Sequence, residues 1–316
     1  MIKCFLIFLC SAVIVATSFA QTKKNANIKT DLCPFPVIDM HFHSDWWGHP
    51  GLVETLSGLK AANDRVTYVN ESFKYLNKYN IVRAVTDGKY TQSYQQKAPG
   101  QIIPSHVSFG IPIDTLRQWY KQGKYAVMGE FEPQYKGISP DDKILEPYYA
   151  LAEELDVPMG MHIGLGPPGA AYMPGTEKYR MSLSNPLLLE NVLVKHPKLR
   201  LYVMHGGWPF LDEMVGLMYA HPQVYIDIAV INWVLPRKEF HQYLRRLVEA
   251  GFTKRIMYGS DEMQWPQSIA VSIENIRSAD FLTNIQKQDI LYNNAARFLR
   301  LSDDEIKKDK SIIGKK

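Results

Sequence analysis

The sequence predicts one α/β domain folded as a single distorted (β/α)8 barrel. Two observations carry this prediction: short apolar runs alternate with longer amphipathic stretches, and polar side chains follow five of the runs. Runs that are apolar throughout are typical of parallel strands buried on both faces, and eight of them favour closure of the sheet. The predicted strands are 37–43, 81–87, 106–111, 125–131, 157–163, 199–205, 224–230 and 255–260.

Amphipathic segments separate the strands and predict the helices. Their ends carry helix signals: the stretch from Ser139 to Asp142 begins one helix, and Gly251 follows another. The alternative is an open doubly wound sheet, but no Gly-X-Gly-X-X-Gly turn follows the first strand. An open sheet would also spread the polar strand ends along one edge, whereas a barrel gathers them at one mouth. The predicted helices are 70–79, 113–122, 141–155, 184–195, 208–220 and 236–250.

The first twenty residues differ from the rest and predict a secretory signal peptide. Lys3 precedes an apolar run that ends near Phe19, and small residues stand at the cleavage region, at Ser18 and Ala20. The run is shorter than the ~20 apolar residues of a membrane span. We therefore expect an exported protein, periplasmic or secreted, with no membrane attachment after cleavage. No linker or repeat divides the remainder, so residues 21–305 are expected to form the barrel.

Charge and cysteine content exclude several classes of protein. The net charge is +4, but residues 306–316 carry five lysines and one aspartate, which leaves the mature barrel nearly neutral. A neutral body argues against nucleic-acid binding, and the basic segment is expected to be a flexible, solvated tail. Cys33 is the one cysteine beyond the predicted signal, so no internal disulfide can form. It lacks a Cys-X-X-Cys partner, and an inert role is expected rather than a catalytic thiol.

A His-X-His pair ends the first predicted strand. His41 and His43 are two residues apart, so both face the same side of the strand and can bind one metal ion inside the barrel. Phe42 then points outward into the helix layer. Asp39 shares the histidine face one step deeper, where it either orients a ligand or serves as a structural carboxylate. The pair is stronger evidence for a metal at the end of a buried strand than it would be on a surface.

Four further candidates follow other strands. His162 and His205 each end an apolar run with glycine close behind, Glu130 ends the fourth strand, and Asp261 follows the last. Imidazole and carboxylate together suit a divalent metal such as zinc. Asp261 could bind the ion and also take a proton from a water whose pKa the ion lowers to about 7. Glu130 either bridges two ions or polarises a ligand. A buried core histidine remains the alternative for His162 and His205.

Other residues near the predicted mouth are weaker candidates for a role in metal or substrate binding. Glu132 shares the strand parity of Glu130 and is a less favoured substitute, whereas Glu262 is expected at the rim. Arg180, in the long loop 164–183, either holds a substrate carboxylate or is a solvated surface residue. Five tryptophans follow strands and suggest a flat substrate face, unless they pack beneath loops: Trp46, Trp47, Trp208, Trp233 and Trp265. His196 and His221 each precede a proline near a helix end and are expected at the surface. No metal role is expected for the remaining histidines: His49, His106, His196, His221 and His241.

Five segments, in this order along the mature chain, match the motifs of a known family: Ile38-Asp-Met-His-Phe-His, Leu155-Asp-Val-Pro-Met-Gly-Met-His, Val203-Met-His-Gly-Gly-Trp-Pro, Met257-Tyr-Gly-Ser-Asp and Asn293-Asn-Ala-Ala-Arg-Phe-Leu. In these segments the chain resembles the amidohydrolase superfamily, and in particular the amidohydrolase-related branch that includes aminocarboxymuconate semialdehyde decarboxylase. The resemblance implies a distorted (β/α)8 barrel with its metal site at the carboxyl ends of the strands.

The resemblance also implies roles for individual residues. It makes His41 and His43 the first-strand metal pair, His162 the fifth-strand ligand, and Asp261 the last-strand ligand and base. His205 matches a sixth-strand histidine that binds a second metal in binuclear members and serves as a catalytic group in mononuclear ones. Many binuclear members bridge their ions with a carboxylated lysine on strand four, where this chain has Glu130. The implied cofactor is therefore one or two divalent ions, with zinc as the expected metal.

Three functions compete at this stage. The leading one is an exported metal-dependent hydrolase, in which activated water attacks an ester, lactone or amide bond of a small molecule. The alternative is a metal-dependent, non-oxidative decarboxylase of a small carboxylic acid, aromatic acids included. The third is a metal- or ligand-binding protein without turnover, which so many ligand-type positions disfavour. A small-molecule substrate is the expected partner, and the sequence allows a homo-oligomer.

Overall fold

Eight short parallel strands line the interior of the structure, a computed structural model that describes residues 34–46 and 61–313. Seven of the eight overlap the predicted strands, and in all of them most side chains are buried. The strands are β1 (Val37–His43), β2 (Ile81–Asp87), β3 (Ile102–Pro104), β4 (Met128–Phe131), β5 (Met159–His162), β6 (Leu201–Met204), β7 (Tyr225–Asp227) and β8 (Ile256–Met257).

The strands close into a ring. Continuous pairing runs from β1 to β3 and from β4 to β8. Ser105 pairs with Val127 and so joins the end of β3 to the start of β4. On the other side, the N–H of Met40 donates to the carbonyl of Tyr258 at 3.0 Å, which joins β1 to the chain just beyond β8. The predicted (β/α)8 barrel is therefore confirmed.

The third strand is earlier and shorter than the predicted 106–111. Ile102–Pro104 pairs with residues 84–86 of β2, whereas the predicted segment forms the connection to the next helix. Gly110 has a φ of +86°, a left-handed conformation that interrupts an extended strand. The apolar residues there, such as Val107, are buried because the connection packs on the core, not because they pair in the sheet.

Helices surround the ring, and all six predicted helices overlap observed ones. Helices α2, α7 and those after β8 were not predicted. The helices are α1 (Arg65–Lys78), α2 (Thr91–Lys97), α3 (Ile113–Lys121), α4 (Glu146–Glu154), α5 (Glu190–Lys195), α6 (Leu211–Ala220), α7 (Ile231–Val234), α8 (Arg237–Glu249), α9 (Ser268–Arg277), α10 (Asn284–Gln288), α11 (Asn294–Phe298) and α12 (Asp303–Ser311), with a π-helical turn (Asp289–Asn293) before α11. No helix among the described residues has the length and apolar character needed to cross a membrane.

Apolar faces hold longer helices such as α1 and α8 to the barrel. In α8, Phe240, Tyr243, Leu244 and Leu247 are buried at helical spacing, and burial of each contributes about 1.5–3 kcal/mol. On the strand side, Phe42 points into the helix layer as predicted, with its ring centroid 6.1 Å from that of Tyr94 on α2. The side chains of His41 and His43 therefore occupy the inward face of β1.

The end of the chain is ordered further than predicted. The expected flexible tail began at residue 306, but α12 continues to Ser311. Ser302 and Glu305 form a reciprocal capping box at its start. Asp309 is buried and accepts a hydrogen bond from Arg83 of β2 at 2.8 Å. This ion pair fixes the helix to the barrel, so the prediction is corrected up to Ser311. The predicted signal peptide, residues 1–20, and Cys33 lie outside the described residues.

Candidate metal centre

β1 delivers two imidazoles to the mouth of the barrel. The Nε2 atoms of His41 and His43 lie 3.2 Å apart. The backbone of His41 is fixed on both sides: its N–H donates to Asp39 at 3.0 Å, and its carbonyl accepts the N–H of Asp261 at 2.7 Å. Two nitrogen lone pairs face each other at this distance only when a proton or a cation lies between them. The two imidazoles therefore lie close together on the same side of β1, as the sequence predicted.

Glu130, at the end of β4, lies at the centre of the site. Its Oε2 atom is 3.2 Å from Nε2 of His41 and 3.4 Å from Nε2 of His43. Its Oε1 atom is 2.5 Å from Nδ1 of His162 and 3.2 Å from Nε2 of His205. One carboxylate therefore stands between two pairs of imidazoles, one oxygen to each pair.

Asp261 completes the site from the segment after β8. Its φ of +50° is in the left-handed region, and its hydrogen bond to the His41 carbonyl holds the backbone there. Oδ1 lies 3.1 Å from Nε2 of His43 and 3.5 Å from Nε2 of His41. Oδ2 lies 3.9 Å from Nδ1 of His205. Asp261 thus contacts the first pair of imidazoles with one oxygen and faces the second pair with the other.

The outer ring nitrogens of His162 and His205 are bound to main-chain carbonyls. Nε2 of His162 lies 3.1 Å from the carbonyl of Leu165, and Nδ1 of His205 lies 3.3 Å from the carbonyl of Ala229. A carbonyl only accepts hydrogen bonds, so each of these nitrogens carries a proton. The inner nitrogens, 3.1 Å apart, then present their lone pairs to the site. These are the tautomers that metal-binding histidines adopt.

The donor atoms converge in three overlapping groups, each spanning no more than 4.8 Å. A divalent ion between the facing nitrogens would relieve both close approaches, and nitrogen and oxygen ligands of this kind suit zinc and its neighbours. The residues therefore fit one ion at the first imidazole pair and a second at the other, with Glu130 shared. The groups are His41, His205 and Asp261; His41, His43 and Glu130; and Glu130, His162 and His205.

Electrostatics keep the two carboxylates charged. Burial favours the neutral form of Glu130, but His41 and His162 outweigh it and hold the pKa of Glu130 well below its ordinary value. Burial is likewise outweighed at Asp261, whose pKa is lowered by His41 and His43. Burial opposes the charged form of His41, yet Glu130 and Asp261 raise its pKa well above the ordinary value. The imidazoles and carboxylates therefore stabilise each other's charged forms, and a cation would compete with protons for the imidazole nitrogens.

Asp39 binds the main chain on both sides of the seam between the first and last strands. Its Oδ1 atom accepts the N–H groups of His41 at 3.0 Å and Ser260 at 2.9 Å, which ties β1 to the segment after β8. Of the two roles predicted for it, the geometry matches the structural one. Burial raises its pKa to about 7, because its charged form has lost water on all sides.

Asp227, at the end of β7, is a carboxylate that the sequence reasoning missed. It is fully buried, and its Oδ2 atom lies 3.3 Å from Nδ1 of His41. Its Oδ1 atom accepts the N–H groups of His205 at 2.9 Å and Ala229 at 3.0 Å. The sequence did contain a signal for this residue: an aspartate inside the apolar run 224–230 needs polar partners when it is buried.

Glu262 is not at the rim, where it was predicted, but fully buried. It points away from the site, as alternation with Asp261 required, and enters the helix layer. There the Ser72 hydroxyl donates to its Oε2 atom at 3.0 Å. Burial raises the pKa of Glu262 to about 8. Tyr68, which lies beside it, donates to the carbonyl of His43 at 3.1 Å.

The other residues predicted near the mouth differ from one another in burial and in contacts. Arg180 is exposed and donates to the carbonyls of Glu177 and Tyr179 in its own loop, which matches the surface alternative. Trp233 and Trp265 are buried with ring centroids 6.0 Å apart, so they pack beneath loops. Trp46 and Trp208 are half-buried, while Trp47 and His49 lie outside the described residues. The expected surface residue His196 is buried between Glu146 and Glu153, a correction to the prediction.

A second missed residue stands beside the inner imidazoles. The ring of Tyr135 meets that of His162 edge-on at 5.3 Å and lies 5.0 Å from that of Tyr179. Glu132, the less favoured substitute for Glu130, is exposed next to it and makes no ion pair with the site's imidazoles in the described part of the chain. Tyr135 and Glu132 therefore belong to the mouth, above the cluster of donor atoms.

A closed (β/α)8 barrel with imidazoles and carboxylates converging at its mouth defines the class of metal-dependent barrel enzymes. The family model described as Amidohydrolase matches residues 38–301. The chain therefore belongs to the amidohydrolase family, whose members are metal-dependent enzymes that act on small molecules.

Solved structures and one curated protein are similar to the chain. An uncharacterised TIM-barrel protein from Bordetella bronchiseptica is 16% identical with a TM-score of 0.66, over 84% of this chain and 99% of that one. A putative 2-pyrone-4,6-dicarboxylic acid hydrolase from Pseudomonas putida is 16% identical with a TM-score of 0.58, over 84% and 98%. A 2,6-dihydroxybenzoate decarboxylase is 13% identical with a TM-score of 0.59, over 84% and 99%.

The curated relative is the protein fluG of Emericella nidulans, 21% identical over 161 residues. The alignment covers 46% of this chain and 18% of that protein, so the chain spans only a small part of the relative it matches. At these identities the solved structures establish the fold alone.

Proposed function

We propose that the chain is a hydrolase that uses one or two divalent ions to cleave an ester, lactone or amide bond of a small molecule. The observation that carries the proposal is the position of Glu130 between two imidazole pairs, with Asp261 beside them. When bound, the ions would supply an activated water near neutral pH and polarise the substrate carbonyl.

Asp261 is assigned as the proton acceptor. Its Oδ1 atom faces the imidazoles of His41 and His43, whereas Oδ2 has no nitrogen nearer than that of His205 at 3.9 Å among the ion pairs of the described residues. The proton is therefore held at Oδ2 and passed to the leaving group as the bond breaks. The lowered pKa of this carboxyl keeps it ionised and ready to accept.

His205 is assigned to the second ion. Its Nε2 atom points at Glu130 and His162, and its Nδ1 atom donates to the carbonyl of Ala229. With both nitrogens engaged in this way, His205 acts as a ligand and not as a free general acid. This assignment implies a binuclear site in which Glu130 takes the place of a carboxylated lysine.

Hydrolysis is favoured over decarboxylation by the charges at the mouth. A decarboxylase must hold a substrate carboxylate, for which arginine is a common partner. Over residues 34–46 and 61–313, the ion pairs of Glu130 and Asp261 are made with histidines and not with lysine or arginine. Arg180, the residue that could have favoured decarboxylation, is bound to its own loop.

The test is an assay of both reactions on the same purified protein. Lactones, aryl esters and hydroxybenzoic acids are each followed for hydrolysis and for release of carbon dioxide, with metal content measured in parallel. We expect hydrolysis that is lost on treatment with a chelator and restored by Zn²⁺. Carbon dioxide release without hydrolysis would establish the decarboxylase, and neither reaction across the panel would refute the proposal.

Zinc as the resident metal and export as the location are parts of the same proposal. Zinc is supported by the predominance of imidazole ligands. Export is supported by the signal-like residues 1–20 in the sequence. Elemental analysis of protein purified from its natural host tests the first. N-terminal sequencing of the mature chain tests the second, with a start near residue 21 as the expected result.

A further inference from the structure

A single buried carboxylate touches both halves of the site without being placed to bind an ion. Asp227 lies behind the ring of His41, at the nitrogen that faces away from Glu130. Its second oxygen binds the main chain of His205, which belongs to the other imidazole pair. The two histidines come from β1 and from the end of β6, so Asp227 on β7 connects ligands from distant parts of the chain.

The contact with His41 fixes a tautomer. Nδ1 of His41 and Oδ2 of Asp227 lie 3.3 Å apart as an ion pair, and both atoms are buried without a hydrogen-bond partner among the described residues. An ionised carboxylate only accepts hydrogen bonds, so the proton belongs on Nδ1. The Nε2 lone pair is then free on the side where Glu130 and His43 converge.

The contact with His205 fixes a backbone. His205 has a φ of +59°, a left-handed conformation that is unusual for a residue with a side chain. Asp227 Oδ1 accepts both the N–H of His205 and the N–H of Ala229, while the Ala229 carbonyl faces Nδ1 of the His205 ring. The end of β7 therefore sets the position of His205 and its protonation at the same time.

We infer that Asp227 is a positioning residue for both imidazole pairs, which makes the two ion sites depend on one carboxylate. The inference rests on the proposed metal centre but not on the reaction. Asp39, which the sequence suggested as a residue that could orient a ligand, accepts hydrogen bonds from the main chain of His41 and Ser260. Asp227 reaches the ring itself, which is the contact that decides whether Nε2 can bind a cation.

The decisive variant is Asp227→Asn, because it separates the two functions of the carboxylate. Its amide oxygen can still accept the N–H groups of His205 and Ala229, which keeps the backbone in place. Its amide N–H₂ group then faces Nδ1 of His41. Whenever Nε2 is free for a metal, Nδ1 carries a proton, and two donors oppose each other in a buried site.

Affinity for Zn²⁺ alone is measured by titration of the metal-free mature protein against a competing chelator. Asp289→Asn is the matched control, because Asp289 is also a buried carboxylate but pairs with Lys254. We expect Asp227→Asn to bind Zn²⁺ about 10–100-fold more weakly, while Asp289→Asn keeps the wild-type affinity. Wild-type affinity in Asp227→Asn would overturn the inference, and equal losses in both variants would indicate a general effect of removing a buried charge.

A second measurement needs no variant. In ¹⁵N-labelled wild-type protein loaded with Zn²⁺, the Nδ1 proton of His41 should appear as a slowly exchanging signal, with the metal at Nε2. A metal at Nδ1, or a freely exchanging proton there, would overturn the inference even if Asp227→Asn fails to fold. Because neither readout is turnover, failure of the proposed hydrolysis and failure of this inference are distinguishable.

Discussion

Oδ1 of Asp261 lies 3.1 Å from Nε2 of His43, although the two residues come from opposite ends of the barrel sequence. The neighbouring carboxyl, Glu262, turns the other way and accepts a hydrogen bond from Ser72 in the helix layer. The side chains of these two adjacent acidic residues thus point to opposite sides of the segment after β8. The first faces the donor atoms at the mouth, and the second anchors the segment that carries it.

Replacement of this base should stop the reaction without unfolding the protein. We expect Asp261→Asn to lower kcat by about 10²–10⁴-fold, because the amide cannot accept the proton held at Oδ2. The main-chain hydrogen bond from residue 261 to His41 is retained, so the thermal unfolding midpoint should stay close to the wild-type value. Turnover of a lactone or aryl ester and thermal melting measure the two effects. Full activity in this variant would remove Asp261 from its role.

Removal of the shared carboxylate should change the number of ions bound. Glu130→Gln replaces both anionic oxygens by a neutral amide, which is a poor bridging ligand. We expect the metal content to fall from about two ions per chain to at most about one, together with loss of activity. Elemental analysis after dialysis measures the stoichiometry. Glu177→Gln, at an exposed position in the loop 164–183, is the control. Two ions retained in Glu130→Gln would contradict the bridging assignment.

The interior of the barrel has no room for a larger residue at Gly160. A Cβ atom there would lie 2.5 Å from the ring and hydroxyl of Tyr202, which is fully buried on the adjacent strand. We expect Gly160→Ala to reduce the free energy of unfolding by about 1–3 kcal/mol. Gly216→Ala, on the exposed side of α6 with open space around it, should instead gain up to about 1 kcal/mol. Denaturant unfolding of both variants checks the opposite signs.

The buried carboxyl of Glu262 should make stability depend on pH. Burial raises its pKa from 4.5 to about 8, and the hydrogen bond from Ser72 offsets this only in part. The folded state therefore binds a proton more tightly than the unfolded state, so stability is complete below about pH 4.5 and falls as pH rises towards about 8.

Glu262→Gln should remove this slope. We expect the variant to match the wild type near pH 5 and to exceed it above pH 8, by an amount on the order of a few kcal/mol. Chemical denaturation at a series of pH values measures the difference. A constant difference across the range would show that the pKa of Glu262 is the same in the folded and unfolded states.

The metal-ligand candidates could be predicted from the sequence because each of them ends or closely follows a buried strand. Apolar runs are visible without a structure, and a polar residue at the end of one has to face the mouth. Asp227 was not predicted as a site residue, because the strand was expected to continue to residue 230. In the structure the strand ends at Asp227 itself. Its contact with His41 depends on how two strands are placed across the ring, which no local pattern encodes.

The failures elsewhere have the same origin. The apolar segment after β3 reads as a strand, yet it packs as a connection once Gly110 turns the backbone. The lysine-rich end has the composition of a solvated tail, yet Asp309 accepts a hydrogen bond from Arg83, which is distant in sequence. His196 reads as a surface residue, yet two glutamates from α4 enclose it. In each case a partner distant in sequence decided the outcome.

The seam between the first and last strands has a consequence for biosynthesis. The N–H of Asp261 reaches the carbonyl of His41 only after β8 has docked, so the full set of candidate ligands is not assembled before the last strand is in place. Until then His41 and His43 lack the carboxylate of Asp261. The proposed metal site is therefore completed by the last strand of the barrel to be synthesised.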